Sequence, residues 1–343
     1  MSQAEPELCP AGRQLGRASV DRRRLALARF LDLVDPADRP AELPGPEGLT
    51  ELQDPVGDVL GLTETDTGWK ARVRAPRGLV AIPGDLAAAQ RVHRAALAVV
   101  AGNAIVLPAP EPGEPDLPAL LARALDEAGL PSEAVTADPR SPTTEPASPE
   151  AVHAYLDGAA DVDAALDDLV HAVGEAPLAT DTILVHEALA TEILEPLVDA
   201  LQGRGLAVEA GEAARRRAPA AGQARSDTWE GPRSGAVGVR VVGSLAEALD
   251  HVQAYGGRAE AIATRDPAAA RRFVGSLSAP RVGVAAPTTS LPADEPPAPP
   301  EVDDPSRPVD LTRERVVVVG ADTDAVPAEA RTSLSALVAH LLA

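Results

Sequence analysis

Between Gly78 and Leu107 the chain passes through strand-like, helical and again strand-like patterns in quick succession. Gly78-Leu79-Val80-Ala81-Ile82 is a short apolar run, an Ala-rich helix is predicted from about Asp85 to Val100, and Gly102-Asn103 leads into a second apolar run, Ala104 to Leu107. Strand, helix and strand within roughly thirty residues make a βαβ unit. The fold class this predicts is α/β.

The remaining segments agree. Val20 to Leu33 carries apolar residues at helical spacing with arginines between them and stops before Asp35-Pro36. Residues 35–50 read as a surface connection, and Val56-Leu60 with Lys70-Val73 bracket a polar turn around Asp66-Thr67-Gly68, which predicts a two-stranded ribbon. Leu117 to Ala128 is a helix closed by Gly129 and Pro131. A proline-rich connector follows from Asp138 to Pro149. Beyond it, Val152-Leu156 and Thr182-Val185 are predicted strands, with helices over Val162 to Val173 and on to Leu201. Ser244 and Glu247 form a capping-box signature for a helix from Leu245 to Ala254, which Gly256-Gly257 would end. Residues 290–308 are an acidic, proline-rich loop, and Arg315-Val319 supplies a last strand.

Charge and composition exclude several functions. A formal charge of -21 repels phosphate backbones and anionic bilayers, so neither nucleic acid nor membrane is an expected partner. Arg22-Arg24 and Arg215-Arg217 are read as solvated faces. Aromatic residues make up only 2% of the chain, so the core must be built from Ala, Val and Leu. The one cysteine, Cys9, rules out an intrachain disulfide, and with no membrane-length apolar stretch or signal-peptide order the expected location is cytoplasmic.

Motifs for chemistry are sparse. His93, His153, His171, His186, His251 and His340 show no ligand spacing and read as satisfied or exposed side chains, so no metal site is expected. Asp157, Asp161 and Asp163 lack the glycine and closing glutamate of a calcium loop and suit a turn and a helix N-terminus. Neither a Rossmann fingerprint nor a P-loop is present.

Five segments in fixed order resemble the γ-glutamyl phosphate reductase (glutamate-5-semialdehyde dehydrogenase) family of the aldehyde dehydrogenase superfamily. They are Asp54-Pro55-Val56-Gly57; Gly78 to Leu107, ending Gly102-Asn103-Ala104-Ile105-Val106-Leu107; Ala128-Gly129-Leu130-Pro131 with Ala134-Val135; Tyr155-Leu156-Asp157 leading to Thr182-Ile183-Leu184-Val185-His186; and Tyr255-Gly256-Gly257 through Glu260 to Asp266. The resemblance implies an aldehyde-dehydrogenase-like fold with a truncated nucleotide-binding layer. It places a reduced nucleotide-binding-type domain over 1–53 and 78–162, a catalytic-type α/β domain over 163–300, an oligomerisation ribbon over 54–77 and 308–320, and a C-terminal helix over 321–343.

It also implies NADPH-dependent reduction of an acyl phosphate through a cysteine thioester, and the positions that should carry this chemistry depart from the pattern. Where the family keeps R-P-S-x-C-N, this chain has Ala176-Pro177-Leu178-Ala179-Thr180-Asp181-Thr182, and no base is evident for Thr180 or Thr182. Over the family's E-A-R-P-N-V-T-V-D lies Asp85-Leu86-Ala87-Ala88-Ala89-Gln90, without the oxyanion-side asparagine. After the second βαβ strand comes Pro108-Ala109-Pro110-Glu111, which offers a carboxylate where the cofactor phosphate needs a cation. The late H-A-R-G-P-M-G-L segment is reduced to Ser306-Arg307-Pro308-Val309-Asp310-Leu311. The expectation is therefore a pseudoenzyme with no catalytic residue, no metal and no assignable cofactor site, acting as an assembly or regulatory subunit in a homo-oligomer or beside an active relative of proline biosynthesis. The alternatives are an active NADP-dependent glutamate-5-semialdehyde dehydrogenase with a non-standard site, and a small-metabolite sensor.

Overall fold

The computed structural model describes residues 11–12, 14–41, 43, 49, 52–65, 68–138, 151–174, 176, 178–231, 234–277, 279–293 and 305–320. Cys9, His340, the Asp66-Thr67 turn, nearly all of the proline-rich connector, the centre of the acidic loop and the 321–343 segment lie outside them.

The chain divides into two compact units. The first takes residues 1–58, 74–147 and 297–314, and the second takes 59–73, 148–296 and 315–343. In the first, helix α1 (Val20–Leu33) packs with α2 (Ala88–Val100) and α3 (Leu117–Glu127) beside a parallel sheet of β3 (Leu79–Ala81), β4 (Ala104–Pro108) and β5 (Val135–Asp138). The predicted βαβ unit is β3-α2-β4, and β5 adds a strand that four residues of weak pattern did not announce. Leu27, Phe30, Val92, Leu97, Ile105, Leu121 and Leu125 fill this core. Asn103, fully buried, joins three segments: its Oδ1 accepts from the Gly78 amide at 2.9 Å and its Nδ2 donates to the Leu311 carbonyl at 3.0 Å. Gly102 beside it has φ +75° and a Cβ there would stand 2.8 Å from the Gly16 Cα, so only glycine suits the turn.

Arg23 corrects the solvated reading of the Arg22-Arg24 run. It is 2% exposed, pairs with Asp54 at 2.5 Å and also donates to the Val100 carbonyl. Arg22 donates to the Gly129 carbonyl and Arg24 to that of Leu52, so the three side chains clasp α1 to its surroundings.

The second unit is built on a ten-stranded, mostly parallel sheet. Its strands are β1 (Val59–Thr65), β2 (Gly68–Pro76), β6 (Ala151–Leu156), β7 (Thr182–His186), β8 (Ala207–Ala210), β9 (Gly222–Gln223), β10 (Ala236–Val242), β11 (Gly256–Ala263), β12 (Arg281–Val284) and β13 (Thr312–Gly320). Their order is β1-β2-β13-β12-β11-β6-β7-β10-β8-β9. Helices α4 (Val162–Ala172), α5 (Ala190–Gly203) and the short α6 (Glu212–Arg215) accompany α7 (Leu245–Tyr255) and α8 (Pro267–Ser276). One sheet face packs residues of α4, α5 and α6 in a cluster with Ala154, Ile183, Val185 and Val239, while the other packs α7 and α8 residues with Tyr155, Leu184, Val242 and Ile262. Alternation along each strand produces this division, because successive side chains point to opposite faces. Covered on both faces, the strands read as nearly continuous apolar runs.

Two organisational expectations change. Strand β6 pairs with β7 and β11, so the second unit begins at residue 148 and not after 162. The β1-β2 ribbon and β13 are continuous with the large sheet and do not form a separate unit; 308–311 is a short turn, with the strand starting at Thr312.

Candidate functional site

A row of polar residues crosses the second unit's sheet near the N-terminal ends of its parallel strands. Glu260 on β11 pairs in register with His153 on β6, His153 with Thr182 on β7, Thr182 with Gly238 on β10, and Gly238 with Glu209 on β8. Register neighbours in a sheet present their side chains on one face, so five strands bring together residues that the sequence scatters. This is the face of α7 and α8. His251 and Tyr255 from α7 and Trp229 from the Ser226–Trp229 turn complete the group.

The rings pack closely. His251 stands edge-on to His153 at 5.3 Å and to Trp229 at 5.4 Å, and is tilted against Tyr255 at 4.9 Å. His153 Nδ1 lies 3.4 Å from a Glu260 oxygen, both side chains being fully buried. On the other side, Arg240 donates to His251 Nδ1 at 3.2 Å, which leaves the proton of the neutral imidazole on Nε2. Among the described residues, both His153 ring nitrogens, His251 Nε2 and Thr182 Oγ1 have no hydrogen-bond partner. The Glu260 carboxyl lacks a bond of good geometry as well, although the Gly257 and His153 amides lie near enough to act on its charge.

Burial dominates the electrostatics. It raises the Glu260 pKa against the lowering pull of His153, and it pushes the His251 pKa down to about 3, with His153 and Arg240 adding to that shift. Burial therefore holds the His251 imidazole neutral and favours the protonated form of the Glu260 carboxyl. The expectation of satisfied or exposed histidines fails for His153 and His251, which are buried with both ring nitrogens of the first and Nε2 of the second unpartnered. It describes His171 and His186 well: His171 Nδ1 sits against the Asp167 carbonyl and His186 Nδ1 accepts from the Ala188 amide. No group of three or more metal-ligating side chains converges among the described residues.

The segment in place of the family's thiol enters this row. Leu178 is buried, Thr180 Oγ1 is hydrogen-bonded to Thr288 Oγ1 at 2.9 Å, and Thr182 is closed off completely. A base does lie beside Thr182, since His153 is its register neighbour; no hydrogen bond joins them, and neither side chain reaches solvent. No signal in the sequence could have found this proximity, because it is created by strand register. Asp157 is structural: it accepts from Tyr155 Oη at 3.1 Å, Thr264 Oγ1 at 2.8 Å and the Ala159 amide, while Asp161 caps α4 by accepting from Ala164.

In the first unit, Asp85 and Glu111 are exposed, and α2 opens at Ala88 with the Gln90 side chain accepting from the Ala87 amide. Arg91 is bound by Glu114 at 2.8 Å, an interaction that also lowers the Glu114 pKa. The segment over the oxyanion position and the one after β4 thus offer an acid, alanines and a carboxylate.

Parallel strands flanked by helices, in one large sheet and in a smaller βαβ sheet, define an α/β protein. No family model matches the chain. It is 30% identical over 315 residues to γ-glutamyl phosphate reductase 2 of Bacillus licheniformis, covering 78% of this chain and 72% of that one. It is 32% identical over 279 residues to γ-glutamyl phosphate reductase of Thermus thermophilus, covering 68% of each. Among solved structures, γ-glutamyl phosphate reductase from Thermotoga maritima aligns over 92% of this chain and 97% of its own at 21% identity and a TM-score of 0.40. On the strength of its sequence relatives, the chain belongs to the γ-glutamyl phosphate reductase family. No helix among the described residues is long and apolar enough to cross a membrane.

Proposed function

We propose that this chain is a family member that has left thioester chemistry and serves as an assembly or regulatory subunit in the cytoplasm, joined to itself or to an active relative of proline biosynthesis. The observation that carries the reading is the segment before β7: its residues include no thiol, the Thr180 hydroxyl is committed to Thr288, and Thr182 is sealed. Without a reachable nucleophile an acyl group has nowhere to bond. Assembly is supported by β1, an edge strand with Val59 48% and Leu60 37% exposed, a pattern that invites pairing.

Family membership favours a second reading, that of an NADP-dependent glutamate-5-semialdehyde dehydrogenase using a non-standard site. Calorimetry with NADPH, combined with sedimentation of the protein alone and with an active relative, separates the two. The first reading expects no binding at millimolar NADPH and a sedimenting complex. Saturable NADPH binding, which at a hundred times its dissociation constant adds about 2.7 kcal/mol of stability, argues for the second; a monomer that captures no relative overturns the assembly role.

A further inference from the structure

The buried polar row is not needed to hold the sheet together, since the backbone ladders already do that, and helices α7 and α8 could cover an apolar face at lower cost. Unpaired buried polar atoms are expensive, so a cluster with several of them is a place where small changes in charge shift the balance between closed and open. Helix α7 is the element concerned: it packs on β6, β10 and β11, and its His251 projects into the row.

Among the described residues, charged or titratable groups meet His251 from three sides. From β10 comes the Arg240 guanidinium, itself 3.5 Å from Glu247 of α7; from β6, His153, which in turn faces Glu260 of β11; and from α7 itself, Tyr255. Adding a proton to His251 would set a buried cation against Arg240. Removing one from Glu260 would leave a buried anion 3.4 Å from the His153 ring.

We propose that His251 and Glu260 make α7 a two-sided, proton-sensitive cover over β6, β10 and β11, closed while both groups are neutral, released by acid through His251 and by base through Glu260. The signs follow from the shifts. A histidine whose folded pKa lies below its unfolded value contributes stability above about pH 6.5, lost as pH falls toward the folded value of about 3. A carboxyl whose folded pKa is raised contributes stability below about pH 4.5 that is lost as pH rises through the folded value. Opening α7 bares the polar row that includes Thr182.

Amide hydrogen exchange of the full chain, corrected for the intrinsic pH dependence, tests this in two single variants. In Glu260→Gln, where only the histidine arm remains, protection of α7 should fall roughly 25-fold from pH 7 to pH 5, with α5 on the opposite face unchanged. In His251→Gln, protection of α7 should instead rise over the same interval. Equal pH responses of α7 and α5 in both variants would overturn the proposal. Should either variant fail to fold, the wild-type protein with isotope-labelled histidine provides the decisive reading: the assigned His251 resonance should stay that of a neutral ring at pH 5, and its titration near pH 6.5 in the folded protein would overturn the proposal.

Discussion

Replacing Asn103 tests the packing of the first unit most severely, because one side chain there closes contacts 25 and 208 residues away in sequence. Asn103→Ala removes the acceptor for the Gly78 amide and the donor for the Leu311 carbonyl. Leaving a buried polar group unpaired costs about 1–3 kcal/mol, and with one group partly buried and one fully buried the combined loss should be about 3 kcal/mol. Asn103→Asp keeps the size and the acceptor but replaces the donor. Ionised, it places a negative oxygen against the Leu311 carbonyl; protonated, it donates as the amide did. Burial raises such a carboxyl's pKa, so its contribution is present at low pH and lost as pH rises through the folded value. Urea denaturation followed by circular dichroism should therefore show Asn103→Asp close to wild type near pH 4.5 and destabilised at pH 8, with Asn103→Ala destabilised at both. An alanine cost below about 0.5 kcal/mol, or an aspartate variant tracking wild type at every pH, would refute the role assigned to Asn103.

Other substitutions address the remaining supports. Asp54→Ala strands the Arg23 guanidinium, 2% exposed, without its carboxylate, and should cost about 3–5 kcal/mol in denaturation experiments. Phe273→Ala should cost about 3–5 kcal/mol by opening a cavity under α8, whereas Tyr155→Phe, which deletes only the hydrogen bond to Asp157, should cost about 1 kcal/mol. Thr180→Val, which breaks the pair with Thr288, should lower stability by about 1–2 kcal/mol without changing the oligomeric state seen in sedimentation.

The fold was legible where the signals are local. The βαβ unit, the Val20–Leu33 helix and the Ser244 cap lie within single windows of sequence, and the structure forms each of them. Strands β5, β8, β9 and β12 have two to four residues each, too short for a period to register. Arg23 looked solvated because a run of three arginines says nothing about which one faces inward. The polar row was invisible for a deeper reason: Glu260, His153, Thr182 and Glu209 become neighbours only through strand register, which long-range pairing sets. What the sequence did expose was a loss, since the segment before β7 has no cysteine whatever the strands do.

The central claim is that no nucleophile operates here. Its most direct test is NADP-dependent turnover of glutamate semialdehyde and phosphate, measured in parallel on the wild-type protein and on Cys9→Ser. The account predicts no turnover in either. Activity in the wild type would contradict it, and activity that survives Cys9→Ser would show that the family's reaction proceeds in this chain without any thiol.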